Sequence, residues 1–405
     1  MLVFMLTKDY KYTIYASYLG YITQAIVNNF TPLLFMIFGN SLGISLEKIT
    51  LLVTANFMIQ LVVDILAARF VDRIGYRKCI MAAHIFAAAG LVGLAGFPQL
   101  FADKFIGLFL AVILYAIGGG LIEVLISPIV EACPTENKAS IMSLLHSFYC
   151  WGTVAVVLLS TLFFSIFGKE HWKTLAVIWA ILPIFNTFFF AKVPIAHLTE
   201  EGGGMSVKTL FSLKTFWIFI ILMVCSGASE QAMSQWASAF AESGLGVSKT
   251  IGDLAGPCMF SILMGSARTF YAKAGNKINL LSFLLGSSVV CVCAYLLAVF
   301  SPIPVVSLIG CGLCGLSVGI MWPGVFSIAS ARYPKGGTAM FALLALAGDL
   351  GCSAGPTLVG MVSGMFGDNI KKGMLVAIVF PMVLIVSGGL YARTSHMKKY
   401  CVENL

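Results

Sequence analysis

Runs of about twenty apolar residues, parted by short polar or charged turns, follow one another along the whole chain. Bounded by charge and turn residues, they fall near 12–38, 49–70, 79–97, 105–128, 139–167, 174–193, 215–241, 250–272, 279–299, 304–331, 337–365 and 373–392. Each is long enough to cross a bilayer as a helix, so the pattern predicts an all-α integral membrane protein of about twelve transmembrane helices. Several runs also carry polar residues at helical spacing. Tyr21, Gln24, Asn28 and Thr31 share one face of the first span, His146, Tyr149, Cys150 and Thr153 one face of the fifth, and Gln231, Ser234, Gln235 and Ser238 one face of the seventh, beside Trp236. Such faces line either a helix contact or a polar cavity.

The longest polar interruption, 194–214, contains Glu200-Glu201-Gly202-Gly203-Gly204 and reads as a linker. It divides the chain into an amino-terminal bundle, 1–193, and a carboxy-terminal bundle with a short tail, 215–405. The two echo each other in order. Gly120-Leu121 with Pro128 recurs as Gly315-Leu316 with Pro323, Leu144-Leu145 with Gly152 recurs as Leu343-Leu344 with Gly351, and Gly75 has a counterpart in Gly275. This predicts two pseudo-symmetric six-helix bundles arising by duplication.

Charge orients the spans. With the amino terminus inside, roughly 18 cations fall in cytoplasmic turns and about 7 on the other side, which predicts a multi-pass cell-membrane protein with both termini cytoplasmic. The net charge of +8 is therefore spread over interhelical turns, and nucleic acid is not an expected partner; the lipid bilayer is. A hydrophobic fraction of 59% and a mean hydropathy of +0.96 exclude a soluble domain. The 11 cysteines lie mostly in apolar runs without a disulfide framework, and Cys311-x-x-Cys314 falls inside a span, where a redox role is not expected. No phosphate-binding loop, zinc-protease motif or nucleophile elbow is present, so the chain reads as neither an enzyme nor a user of a cofactor or metal.

Ionisable residues deep in a span are costly and normally face a pathway. Asp64, Glu123, Glu230 and Asp349 are so placed. Asp64, about two turns from a cytoplasmic turn, reads as structural, whereas Glu123, Glu230 and Asp349 are candidates for proton coupling. Tyr21, Gln24, Asn28, Asn29, His146, Tyr149, Gln231, Gln235, Trp236 and Trp322 are the candidate substrate ligands. Amides and hydroxyls beside aromatic faces suit a neutral sugar or polyol. No arginine or lysine is expected at the middle of a span, which argues against an anionic solute. Efflux of drugs or metabolites is the competing reading, and a membrane sensor that binds without transporting a more distant one. The chain is expected to work as a monomer.

The turn between the second and third spans, Asp72-Arg73-Ile74-Gly75-Tyr76-Arg77-Lys78, resembles the loop signature G-x-x-x-D-R-x-G-R-R of the major facilitator superfamily, with Ala68 at the first glycine and Tyr76 at the first arginine of the basic pair. The resemblance implies a gating loop at Asp72, Arg73, Gly75 and Arg77, mirrored by a basic turn at Arg268. Over its length the chain is similar to the fucose-permease branch, through Asn28-Asn29, Glu123 to Pro128, Leu144 to Gly152, and Gly227-Ala228-Ser229-Glu230 through Trp236. That branch implies proton-linked sugar uptake by alternating access, with Glu123 as the proton carrier. The chain departs from it in having Pro32 where that branch has an aspartate and Tyr149 where that branch has an asparagine.

Overall fold

A computed structural model describes residues 9–134, 138–196, 205–274, 279–333 and 335–403. Among them there is no strand, and the long helices follow the apolar runs closely. They are α1 (Lys11–Asn29, continued by Phe35–Leu42), α2 (Leu46–Ile74), α3 (Tyr76–Gly96), α4 (Lys104–Glu131), α5 (Lys138–Phe167) and α6 (Trp172–Lys192). After a short helix, Val207–Ser212, which falls within the expected linker, come α7 (Lys214–Ala239), α8 (Lys249–Asp253 and Met259–Ala274), α9 (Leu280–Phe300), α10 (Pro304–Val318 and Met321–Arg332), α11 (Gly337–Met365) and α12 (Ile370–Ala377 and Val379–Glu403). The Glu200–Gly204 run, Gly275 and the side chain of Asp72 lie outside the described part. Eleven of these helices are long and apolar enough to span a membrane. The twelfth span is α8, whose longest α-helical stretch is the 16 residues Met259–Ala274.

Two interruptions have proline at their root. Pro32 lacks an N–H to donate, and α1 narrows to a 3-10 turn at Thr31–Leu34 before resuming. In α8, Pro257 sits in a wide π turn, Leu254–Cys258. At the second-to-third turn Gly75 takes φ 96°, a conformation that L side chains rarely adopt. Beside it Arg77 satisfies carbonyls that the end of α6 leaves open: Nη1 donates to Phe190 O at 2.7 Å and Ala191 O at 2.9 Å, and Nη2 to Val193 O at 2.8 Å.

Burial separates inner helices from outer ones. In α1, 83% of the apolar window is buried and in α7, 72%, against 39% in α6 and in α9. The outer helices turn side chains such as Phe188, Ile181 and Phe300 outward, as a lipid-facing surface requires. The inner ones approach closely through small residues. A methyl group on Gly351 or Gly355 of α11 would overlap the backbone of α7 at Val224 or Ala228.

The helices before and after the linker meet through α2 against α11, α5 against α8, and the broken part of α1 against α7. Their joining bonds cluster toward the face opposite the termini. Thr54 and Thr357 hydroxyls are 2.5 Å apart, Thr161 donates to Asp253 at 3.3 Å, Ser165 and Thr250 lie 3.3 Å apart, and Lys169 pairs with Glu242 at 3.2 Å. That face is closed, and a cavity lies beneath it.

Candidate functional site

The cavity, of about 150 Å³, lies between the inner helices. Tyr21, Gln24 and Asn28 of α1 line it with Phe57 and Gln60 of α2, Glu123 of α4, and His146 and Tyr149 of α5. Glu230 and Gln231 of α7, Arg268 of α8, Trp322 of α10, and Asp349 and Cys352 of α11 complete the wall. Eight different helices thus contribute, which explains why no single stretch of sequence displays the site.

A chain of carboxamides holds one wall. Gln24 Nε2 donates to Glu123 Oε2 at 3.1 Å and to Gln60 Oε1 at 3.0 Å. Gln60 Nε2 in turn donates to Asn28 Oδ1 and Asn56 Oδ1, both at 2.9 Å, and Asn56 Nδ2 to Asn28 Oδ1 at 3.2 Å. Each amide is fixed by its neighbours, so the Gln24 NH2 group is aimed at the Glu123 carboxyl before any ligand arrives. Among the described residues Gln24 Oε1 is buried with no hydrogen-bond partner. Nearby, the Tyr21 hydroxyl lies 2.9 Å from Ser127 Oγ, and its ring 5.4 Å from that of His146.

Arg268 corrects two sequence expectations. It does not belong to a basic turn: it lies within α8, and its guanidinium enters the cavity wall. Nη2 pairs with Glu230 Oε2 at 3.3 Å, Nη1 donates to Cys150 Sγ at 3.3 Å, and Nε donates to Gly319 O at 3.3 Å. Nor is the middle of the membrane free of positive charge, since Arg268 lines the cavity. Lys249 of α8 is also buried, paired with Asp253 at 3.0 Å. The reason is the length of an arginine side chain, which carries charge several ångströms from its Cα along the helix. Position near a span's end therefore does not fix where the charge sits.

The structure brings together most of the candidate ligands and leaves three outside the cavity wall. Asn29 turns to α5, with Nδ2 donating to Ala25 O at 3.0 Å and Thr153 Oγ1 at 3.2 Å. Gln235 Nε2 donates to the backbone carbonyl of Asn28 at 3.0 Å and to Gln231 Oε1 at 3.1 Å, joining α7 to α1. Trp236 is fully buried and donates to Pro356 O at 2.9 Å. In the loop, Arg73 is exposed and Arg77 is spent on α6. Sequence reasoning missed Asn56 and Gln60, although Asn56, Gln60 and Asp64 recur at four-residue steps on one face of α2, the same signal that marked α1. Cys352 and Phe57 carry no polar periodicity to reveal them.

Among solved structures the chain is similar to a bacterial homologue of the human lysosomal transporter Spinster, in an inward-facing and unoccupied conformation, with a TM-score of 0.77 at 16% identity, covering 96% of this chain and 98% of that one. It is also similar to a D-xylose–proton symporter, with a TM-score of 0.73 at 14% identity over 94% of this chain and 97% of the other. For the E. coli fucose:proton symporter the TM-score is 0.62 at 15% identity, over 93% and 98% of the two chains. None of the curated proteins matches the sequence. The family model described as Major Facilitator Superfamily matches residues 17–356. With that match spanning most of the chain, and the helices enclosing a polar central cavity, this protein belongs to the Major Facilitator Superfamily and is a multi-span membrane transporter.

Proposed function

We propose that this transporter couples proton movement to the uptake of a neutral, hydroxyl-rich solute such as a sugar, by alternating access of residues 1–193 against residues 215–405. The observation that carries the reading is the pairing of Glu123 with Gln24. Glu123 Oε2 accepts from Gln24 Nε2, while Gln24 Oε1 is left as a buried acceptor without a donor. A protonated Glu123 offers an O–H that needs an acceptor, and Gln24 offers an acceptor that needs an O–H. A solute hydroxyl that accepts from Glu123 and, once the Gln24 amide turns toward the cavity, donates to Gln24 meets both needs. Proton and solute then favour each other's binding, as symport requires.

Neutrality of the solute is supported by the state of Arg268. Its charge is already met by Glu230, so an anion would have to displace that carboxylate. Trp322 and Tyr149 line the cavity, and aromatic rings suit the C–H face of a sugar. With the termini cytoplasmic, the closed face is the outer one, and the cavity is poised to release inward.

The test is uptake of labelled neutral sugars into proteoliposomes with and without an inward proton gradient. Gradient-stimulated uptake of one of them is the expected result; no uptake by folded protein removes the sugar reading and favours efflux or another solute. For the proton carrier, Glu123→Gln is expected to keep solute exchange and lose uphill accumulation. Accumulation equal to the parent would take Glu123 out of that role.

A further inference from the structure

One acidic residue has so far been given no part, and it lies where the two sets of helices meet. α2 and α11 run antiparallel, and their contacts set a register: Thr50 lies against Gly360, and the Thr54 hydroxyl against that of Thr357. From Thr54 on to Asp64, and from Thr357 back to Asp349, are each about two to three turns, which brings the two aspartates to the same level. That register sets their carboxyl groups side by side, close enough to hydrogen-bond when one of them carries a proton. Among the described residues Asp64 Oδ1 is buried with no hydrogen-bond partner, and Asp349 lines the cavity.

Two ionised carboxylates have only acceptors and cannot hydrogen-bond to each other. A bond between them requires a proton, and like charges this close oppose joint ionisation. We infer that Asp64 and Asp349 share one proton across the α2–α11 interface, forming a second proton site distinct from Glu123. Among the described residues, the other charged or titratable groups around it in the cavity wall are Glu123 from α4, Glu230 from α7, Arg268 from α8, His146 and Tyr149 from α5, Tyr21 from α1 and Cys352 from α11 itself. Arg268 is engaged by Glu230 and does not neutralise the pair. Because the two oxygens ride on helices from opposite sides of the linker, any rocking that parts α2 from α11 breaks the bond and frees the proton. The proton is thus bound by a conformation as well as by a residue. Under this proposal Asp64, expected from sequence to be structural, takes part in proton binding.

The inference rests on the transporter reading for its purpose, but not for its test, which needs no solute. The purified full chain in lipid is followed by infrared difference spectroscopy across a pH series, reading the protonated-carboxyl band. Asp64→Asn and Asp349→Asn are each expected to abolish the shared-proton component, and Glu123→Gln to leave it in place. Should either aspartate variant prove unstable, the other removes the same proton and reads the same result. A full-strength component in either variant overturns the proposal. If the component disappears as expected while Glu123→Gln still accumulates solute, the pair stands and the Glu123 reading falls; the reverse outcome separates them the other way.

Discussion

α8 carries two ion pairs that differ in almost everything except charge. Near its beginning, Lys249 and Asp253 are 3% and 0% exposed, one turn apart, and closed in by Ser238, which donates to Asp253 at 2.5 Å, and Thr161, which donates from α5. Farther on, Arg268 and Glu230 are 24% and 10% exposed, bridge two helices, and stand in the wall of the cavity. The first pair has every strong partner it needs and no route to a ligand. The second is held by three long bonds and has open space beside it. The two pairs are thus alike in charge and differ in surroundings: one is sealed by its neighbours, the other borders open space.

The sharpest way to break this contrast is to remove half of the sealed pair. Asp253→Ala leaves the Lys249 ammonium buried without its counter-charge, and a loss of about 3–5 kcal/mol is expected in denaturant titrations in micelles. Replacing both, with Lys249→Met and Asp253→Leu, should restore most of that loss, since an apolar pair of similar volume costs no desolvation. A smaller effect on stability is expected from Arg268→Gln, about 1.5 kcal/mol, because water in the cavity can solvate the freed Glu230. Transport, by contrast, should be lost in Arg268→Gln, as measured by uptake into vesicles. If the cavity pair proves as costly to break as the sealed one, the distinction drawn from exposure is wrong. The mildest change is Thr161→Val, which removes one hydrogen bond to Asp253. It should cost about 1 kcal/mol in the same titration and raise the rate at which the closed face opens, read as faster labelling of a cysteine placed at Thr357.

How much of this was legible beforehand differs between fold and site. Span ends such as those of α5, α6 and α11 agree with the apolar windows to within a residue or two, since the length needed to cross a bilayer leaves little freedom. The site was read in part. Tyr21, Gln24 and Asn28 announce themselves by spacing on one helix and do line the cavity together. Gln235 follows Gln231 at the same spacing, yet the interruption of α1 at Thr31–Leu34 brings a bare carbonyl within its reach, and it is drawn into packing instead. The Asp64–Asp349 contact depends on the register of two helices far apart in the chain, which periodicity within either one does not encode. Arg268 was misplaced for a related reason: a residue's position in a span gives the height of its Cα, not of its charge.

The wide turn at Leu254–Cys258 gives α8 a property that an unbroken helix lacks. It holds one residue more than an α turn, so everything beyond it is rotated by about 100° relative to what precedes it. Lys249 and Asp253 lie before the turn and Arg268 after it. Loss of a single codon from this turn would swing Arg268 away from the cavity while leaving the sealed pair where it is, and regaining one would swing it back. Over evolutionary time the charge presented to a solute can thus be re-aimed by an insertion or deletion at one place, with no change to the residues that keep the opposite face shut.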